Sequence, residues 1–367
     1  SGHHRRGGHP VRAYHPHPTI EHLSWDIDRL LRWVPKDWGD GFIFGETMPT
    51  AENCGAITPK AQMRVEPETV TITADDTTIT GTYFAKGVVI RANRVRLEDC
   101  WISNSPTGAA GTITPKNPAG NHVAVDANSS AYSGSVLERC TIIPDNPEVL
   151  CYGLIGCNAT TIRCNISGGH TDCLNWQTST SNNHLLPGSC VSLGDYLAPT
   201  VYDSDPDQNG GRSHSDCIQV ANGSGHVVFG SHLEAIVGDS YSHGMVISPY
   251  AGGGIGGIAV VKSWFSGGGA QFSAWANGLT DKAPIVPGIV LVDNRFDARG
   301  TLNDSSGGVM VPQSILLTPE GFMASRENIR RNLQTHPCTP ATGTPYGASA
   351  TPENPVPAYV YTAKNNW

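Results

Sequence analysis

The chain has 367 residues, 42 of them Gly, with only 15% charged and a formal net charge of -8. That acidic balance argues against a nucleic-acid partner, which needs a basic face. No apolar run approaches the roughly 20 residues that a membrane span requires. Thr, Ser, Asn, Val and Ile are plentiful, and with so much Gly they favour many short strands joined by tight turns.

Residues 1–20 are rich in His, Arg, Gly and Pro and include His3, His4, His9, His15 and His17. They read as a flexible or partner-bound arm; a metal site is the other option, though the His lack fixed spacing. No signal peptide is visible, and Ser1 fits either a removed initiator Met or the scar of a cleaved leader. Residues 19–34 place Ile20, Leu23, Ile27, Leu30, Leu31 and Val34 at helical spacing, with Thr19 as N-cap and Pro35 as stop. Such a helix would seal the open end of a solenoid. Residues 1–50 are therefore taken as arm and capping helix.

The decisive signal is an internal repeat. Eight octads align without gaps: TTITGTYF (77–84), VRLEDCWI (95–102), SVLERCTI (135–142), ATTIRCNI (159–166), CVSLGDYL (190–197), HVVFGSHL (226–233), IAVVKSWF (258–265) and IVLVDNRF (289–296). The eighth residue is always apolar. The sixth is small or polar: Thr82, Cys100, Cys140, Cys164, Asp195, Ser231, Ser263, Asn294. The third is apolar except at Thr161 and Ser192. One rung cannot bury its apolar face alone, whereas rungs stacked about 4.8 Å apart bury a continuous column. A short polar residue at a bend can then hydrogen-bond its copies above and below. A second column, HVAV (122–125), YGLI (152–155), DCLN (172–175), DCIQ (216–219) and GMVI (244–247), gives each rung at least two strands. The expected fold is all-β, a single-stranded right-handed parallel β-helix over 51–315. A β-sandwich would instead show hairpin turns every 8–12 residues. Octad starts are 18, 40, 24, 31, 36, 32 and 31 residues apart, so the excess leaves as loops and the 40 has room for a hidden rung.

Beyond about residue 310 the repeat fades. Residues 319–333 have helical spacing and would cap the far end, and 335–357 form a Pro/Thr/Gly-rich tail. The last ten residues, AYVYTAKNNW, read as a docking strand, and 316–367 as cap plus irregular tail. Of the ten Cys, most fall at repeat positions and no CxxC pair occurs. They read as small ladder residues, with disulfides of a secreted protein as the other option.

The most specific chemical signal is a doublet. GGHTDCLNW (168–176) and RSHSDCIQV (212–220) share H-[Ser/Thr]-D-C-[Leu/Ile], 44 residues apart with one octad between them. Adjacent rungs would bring Asp172 and Asp216 to about 5 Å, with His170 and His214 beside them. Two carboxylates that close cannot both ionise cheaply, so one becomes an acid beside a base or nucleophile. The separation suits a retaining glycosidase. A lyase would need a base instead, for which Arg212, His214 and His243 are candidates. The same aspartates would also serve as turn caps or as a cation site. In DSDPDQNGG (203–211), Asp203, Asp205, Asp207 and Asn209 alternate before Gly210 and suit Ca²⁺, though the full EF-hand pattern is absent. A plain polar loop has the same composition. Trp176, Tyr250, Trp264 and Trp275 are candidates for stacking on sugar rings, beside glycine runs that admit a ligand or simply make tight turns.

The stretch ITPKAQMRVEPETVTITADDTTITGTYFAKGVVIRANRVRLEDCWIS (57–103), with HSDCIQVANGSGHVVFGSHL (214–233), SWFSGGGAQF and LVDNRF, resembles the pectate-lyase-like β-helix proteins of actinobacteria and of phages that infect them. The likeness covers roughly residues 50–300. In phage genomes such proteins resemble minor tail proteins. HTDC and HSDC faintly resemble the Asn-Thr-Asp-Gly element of polygalacturonases, but Cys173 and Cys217 replace Gly and no Arg-Ile-Lys element appears. The dense Lys and Arg constellation of pectate lyases is also missing.

The resemblance implies a virion tail protein that binds, and in some members degrades, host cell-surface polysaccharide. The N-terminal arm would dock on other phage tail proteins. The alternatives are a secreted polysaccharide lyase or glycoside hydrolase, and a non-catalytic adhesion or assembly solenoid.

Overall fold

Each octad bends in its middle, so it supplies two strands. The structure, a computed structural model, describes residues 47–103, 122–129, 131–145, 151–156, 158–168, 171–177, 190–201, 211–237, 239, 242–247, 255–268, 270–275, 285–292, 294–296, 313–318, 322–325 and 360–364. The first half of an octad lies in one sheet, for example Arg96–Glu98, and its end lies in another, for example Trp101–Ile102. Position five makes the bend in the left-handed region: Gly81 (φ 58°), Asp99 (51°), Arg139 (49°), Arg163 (52°), Gly194 (62°), Gly230 (62°) and Lys262 (49°). For the four residues that carry a Cβ this backbone costs about 1–2 kcal/mol each, which the stacking of the bends must offset.

Between octads the chain adds a third strand, such as Leu174–Trp176 or Ile218–Val220. Three sheets result. The first holds nine strands from Arg64–Glu66 to Arg295–Phe296, and the second holds ten from Val70–Ile72 to Phe322–Ser325. The third, nine strands, runs from Thr78–Thr80 to Ile285–Val292 and ends on Val360–Lys364. All described pairings are parallel except the last of the second sheet. This is a parallel β-helix with three strands per coil.

The register repeats the gapless octad alignment. Position eight runs Phe84, Ile102, Ile142, Ile166, Leu197, Leu233, Phe265, Phe296 through successive coils. The described side chains of that column, from Phe84 to Phe265, are at most 2% exposed. Each such burial contributes about 1.5–3 kcal/mol. The 40-residue spacing hides no extra rung: Ile102 pairs directly with Ile142, so its surplus leaves within one coil.

Position six forms a buried ladder at the bend, in single file from Thr82 to Asn294, with every member at most 1% exposed. The N–H of one member is met by the side chain of the next. Cys164 N donates to Asp195 Oδ1 (2.7 Å), Asp195 N to Ser231 Oγ (3.1 Å), and Ser263 N to Asn294 Oδ1 (3.0 Å). The thiols of Cys100, Cys140 and Cys164 reach the carbonyls of Ile79, Leu97 and Leu137. All eight described Cys are buried free thiols, and burial pushes Cys140, Cys173 and Cys217 well above the ordinary thiol range.

A feature absent from the sequence reading is a strap. Residues 49–58 run along the first sheet, across the coils and opposite to the direction of the stack. His232 meets Pro49 O through Nδ1 (2.9 Å), Cys54 Sγ donates to Gly194 O (3.3 Å), and Gly55 N to Arg163 O (2.7 Å). Ala56 N then donates to Thr141 Oγ1 (2.9 Å), and Ile57 N and Thr58 N both donate to Asp99 Oδ1. At Gly55 the strap passes close over the small outward residues Thr141 and Asn165. A Cβ on Gly55 would sit 2.4 Å from Thr141 Oγ1 and 2.9 Å from Asn165 Cβ. Only after descending the stack does the chain enter its first coil at Arg64. The expected capping helix of 19–34 lies outside the described residues.

Within the span 319–333 expected as a helix, the described residues Phe322–Ser325 form a strand antiparallel to Gln313–Thr318, and the rest of the span lies outside the described residues. The chain folds back there and covers an open sheet edge, which outweighs local helical spacing. Val360–Lys364 adds in parallel to Ile285–Val292, as a docking strand should. Among the described residues no helix is long and apolar enough to cross a membrane.

Candidate acid pair on adjacent coils

The doublet lands where the spacing predicts. Leu174 pairs with Ile218, and Ile218 with Met245. Counting back two residues puts Asp172, Asp216 and His243 in one file at the entry to the second sheet. Backbone bonds fix this: Cys173 N donates to Asp216 O (3.0 Å) and Cys217 N to His243 O (2.9 Å). Beside the file runs a row of buried hydroxyls. Thr171 Oγ1 donates to Cys151 O (2.6 Å) and Ser242 Oγ to Ser215 O (2.5 Å).

Both aspartates are almost fully buried, Asp172 at 2% and Asp216 at 4% exposure. Their partners differ. Asp172 Oδ2 accepts from Asn175 Nδ2 (2.6 Å), whose amide also reaches Gln219 Oε1 (3.3 Å) on the next coil. Asn175 alternates with the core residues Leu174 and Trp176, which places it on the outer face. Asp216 Oδ1 accepts the backbone N–H of His243 (2.8 Å) and pairs with its Nδ1 (2.9 Å). Burial, and then the charge of Asp216, push the Asp172 carboxyl well above the usual carboxylate range; the Asn175 amide only partly opposes them. The arrangement stacks a buried carboxyl raised above its usual range on a second one that a histidine grips.

The other expected site residues are placed as follows. Arg212 is half exposed and forms an ion pair with the buried Asp239, its Nε 2.9 Å from Oδ2. His214 is exposed, two residues before Asp216. Trp176 is not at the surface: it is 2% exposed, in the core, and stacked on His226 with centroids 5.1 Å apart. The pleat dictates this, because Trp176 shares the inward parity of Leu174. Trp264 is half-buried on the first sheet, with the Arg295 guanidinium 4.4 Å above its ring. Trp275 ends the strand Ala270–Trp275. His170, Tyr250, the Trp275 side chain and the loop of Asp203, Asp205, Asp207 and Asn209 lie outside the described residues. Among the described residues no group of three His, Cys, Asp or Glu could hold a metal ion.

Sequence reasoning placed His243 only among possible bases and passed over Asn175. A signal for Asn175 was present, since the doublet carries an amide at the same position in both copies, Asn175 and Gln219.

No protein-family profile matches this sequence, and no curated protein does. Among solved structures, the enzymatically active domain of tailspike protein 2 from bacteriophage CBA120 is similar at 11% identity and a TM-score of 0.33. The match covers 71% of this chain and 41% of that one, so the present chain spans less than half the length of that neighbour.

Proposed function

We propose that this β-helix binds and cleaves a polysaccharide at the Asp172–Asp216 pair, as a glycoside hydrolase. One observation carries the reading: two buried carboxyls on adjacent coils, one pushed above its usual range by burial and the other paired with His243. Stacking sets them about 5 Å apart, which is the separation of a retaining pair, in which one carboxyl protonates the leaving oxygen and the other attacks the anomeric carbon. Asp172 would be the proton donor and Asp216 the nucleophile. The resemblance of 57–103 and 214–233 to phage-borne β-helix proteins supports a place on a virion tail, facing host surface glycan. Asp203, Asp205, Asp207 and Asn209 would supply oxygen ligands to a Ca²⁺ ion.

The test is digestion of purified cell-surface polysaccharides, followed by reducing-end release and by ultraviolet absorbance of unsaturated uronates. New reducing ends without unsaturation, lost by about 10²–10⁴-fold in both D172N and D216N, are expected. Unsaturated products would make the chain a lyase. Binding without turnover, or activity that survives both substitutions, would reject the acid pair.

A further inference from the structure

Two copies of one motif on adjacent coils should carry two equivalent aspartates, yet their surroundings are not equivalent. Above Asp216 stands His243; at the matching place above Asp172 stands Asp216 itself. Asp216 Oδ1 accepts the backbone N–H of His243 at 2.8 Å and meets its Nδ1 at 2.9 Å; with the proton on Nδ1 the ring donates as well, and such donors favour the charged carboxylate. Asp172 accepts the neutral Asn175 amide and the backbone N–H of Asp216, and it faces a negative neighbour where Asp216 faces an imidazole.

We propose that His243 is the positioning residue that decides which of the two carboxyls keeps the proton. It locks the charge onto Asp216 and thereby leaves the proton on Asp172, while Asn175 fixes the direction in which that acid points. This rests on the acid-pair reading for its catalytic meaning but not for its electrostatics. Among the described residues, the other ionisable groups around the file have partners or positions of their own. The Cys173 and Cys217 thiols are driven far up by burial and stay neutral. Arg212 is engaged by Asp239, and His214 is exposed. Glu234, which acts on Cys217, takes the Tyr196 hydroxyl at 2.6 Å.

The chemistry is a tautomer argument. With Nδ1–H given to Asp216, the ring acts as a fixed donor whether or not Nε2 is protonated. Asn can place an amide N–H near the Nδ1 position; Leu cannot. In H243L the single shared proton should spread over both carboxyls, and in H243N it should return to Asp172.

The experiment is a carbon-13 carboxyl titration of Asp-labelled full chain, with D172N and D216N used for assignment. In the wild type the Asp172 carboxyl should titrate well above the usual carboxylate range. In H243L the Asp172 titration should move down, and H243N should restore it. On any polysaccharide that is cleaved, H243L should lower kcat by about tenfold and move the pH profile, with KM held. Carboxyl titrations unchanged in H243L would overturn the inference, as would a leucine variant that asparagine fails to rescue while still folded. A normal titration pattern with no polysaccharide cleaved would instead defeat the proposed function and leave the proton assignment standing.

Discussion

Asp195 gives the sharpest test of the ladder. It is fully buried, with Oδ1 accepting Cys164 N and Oδ2 accepting Ser192 Oγ (2.6 Å) and Thr161 Oγ1 (2.5 Å). Despite these donors, burial raises its carboxyl from 3.8 to about 7. Between those values the native chain holds a proton that the unfolded chain has released. Stability is therefore greatest below pH 3.8 and falls as pH rises, until the folded carboxyl ionises near 7. Each pH unit in that window is worth about 1.4 kcal/mol, so the whole window is worth about 4 kcal/mol. Asn is the right replacement, because Asn294 already occupies the same column, with Oδ1 accepting Ser263 N and Nδ2 donating to Val260 O. Urea midpoints of the wild type and D195N, compared near pH 4.5 and near pH 7.5, isolate the effect from every other titrating group. D195N should gain on the wild type by several kcal/mol at the higher pH. Equal pH slopes in the two proteins would show that the ladder carboxyl does not carry its proton.

Gly55→Ala should lift the strap, because its φ is 89° and the new Cβ would meet Thr141 Oγ1 at 2.4 Å. A loss of about 1–3 kcal/mol is expected, with faster hydrogen exchange at Ala56, Ile57 and Thr58; unaltered exchange there would refute the strap. Trp176→Ala should cost about 3–5 kcal/mol as a core cavity, while the folded fraction keeps its affinity for any bound glycan. Full stability with selective loss of glycan binding would return Trp176 to the surface role read from sequence. The eight described thiols should resist alkylation in the native state and react together on unfolding, as peptide mapping would show; rapid native labelling of Cys140 or Cys164 would contradict the buried file.

The architecture was legible because a solenoid writes its register directly into the chain. Positions three, six and eight of each octad became vertical neighbours without a single shift through the last octad. Even the two exceptions had a meaning that only coordinates reveal. Thr161 and Ser192 interrupt the apolar third column because both hydroxyls serve Asp195, the one ladder member with a carboxyl. Position five escaped notice since Gly, Asp, Arg and Lys share no chemistry; what unites them is a backbone angle. The strap was illegible for another reason. Its partners, from Asp99 to His232, lie up to 183 positions away, and no periodicity announces them. Trp176 was misplaced by reading an aromatic beside a polar motif as a ligand platform, when parity with Leu174 already pointed it inward.

The acid pair shows both the strength and the limit of that legibility. Translation by one coil obliges like residues to stack, so a duplicated Asp becomes two carboxyls about 5 Å apart with no further design. Repulsion then forbids both from ionising cheaply, but translation alone cannot say which one yields. That decision needs something that breaks the repeat. Here the third coil offers His243 where the first two offered Asp. The sequence signals that the pair exists, while the break in the repeat sets its polarity. A solenoid can thus build a chemically asymmetric site from a symmetric motif by ending the repetition one coil later.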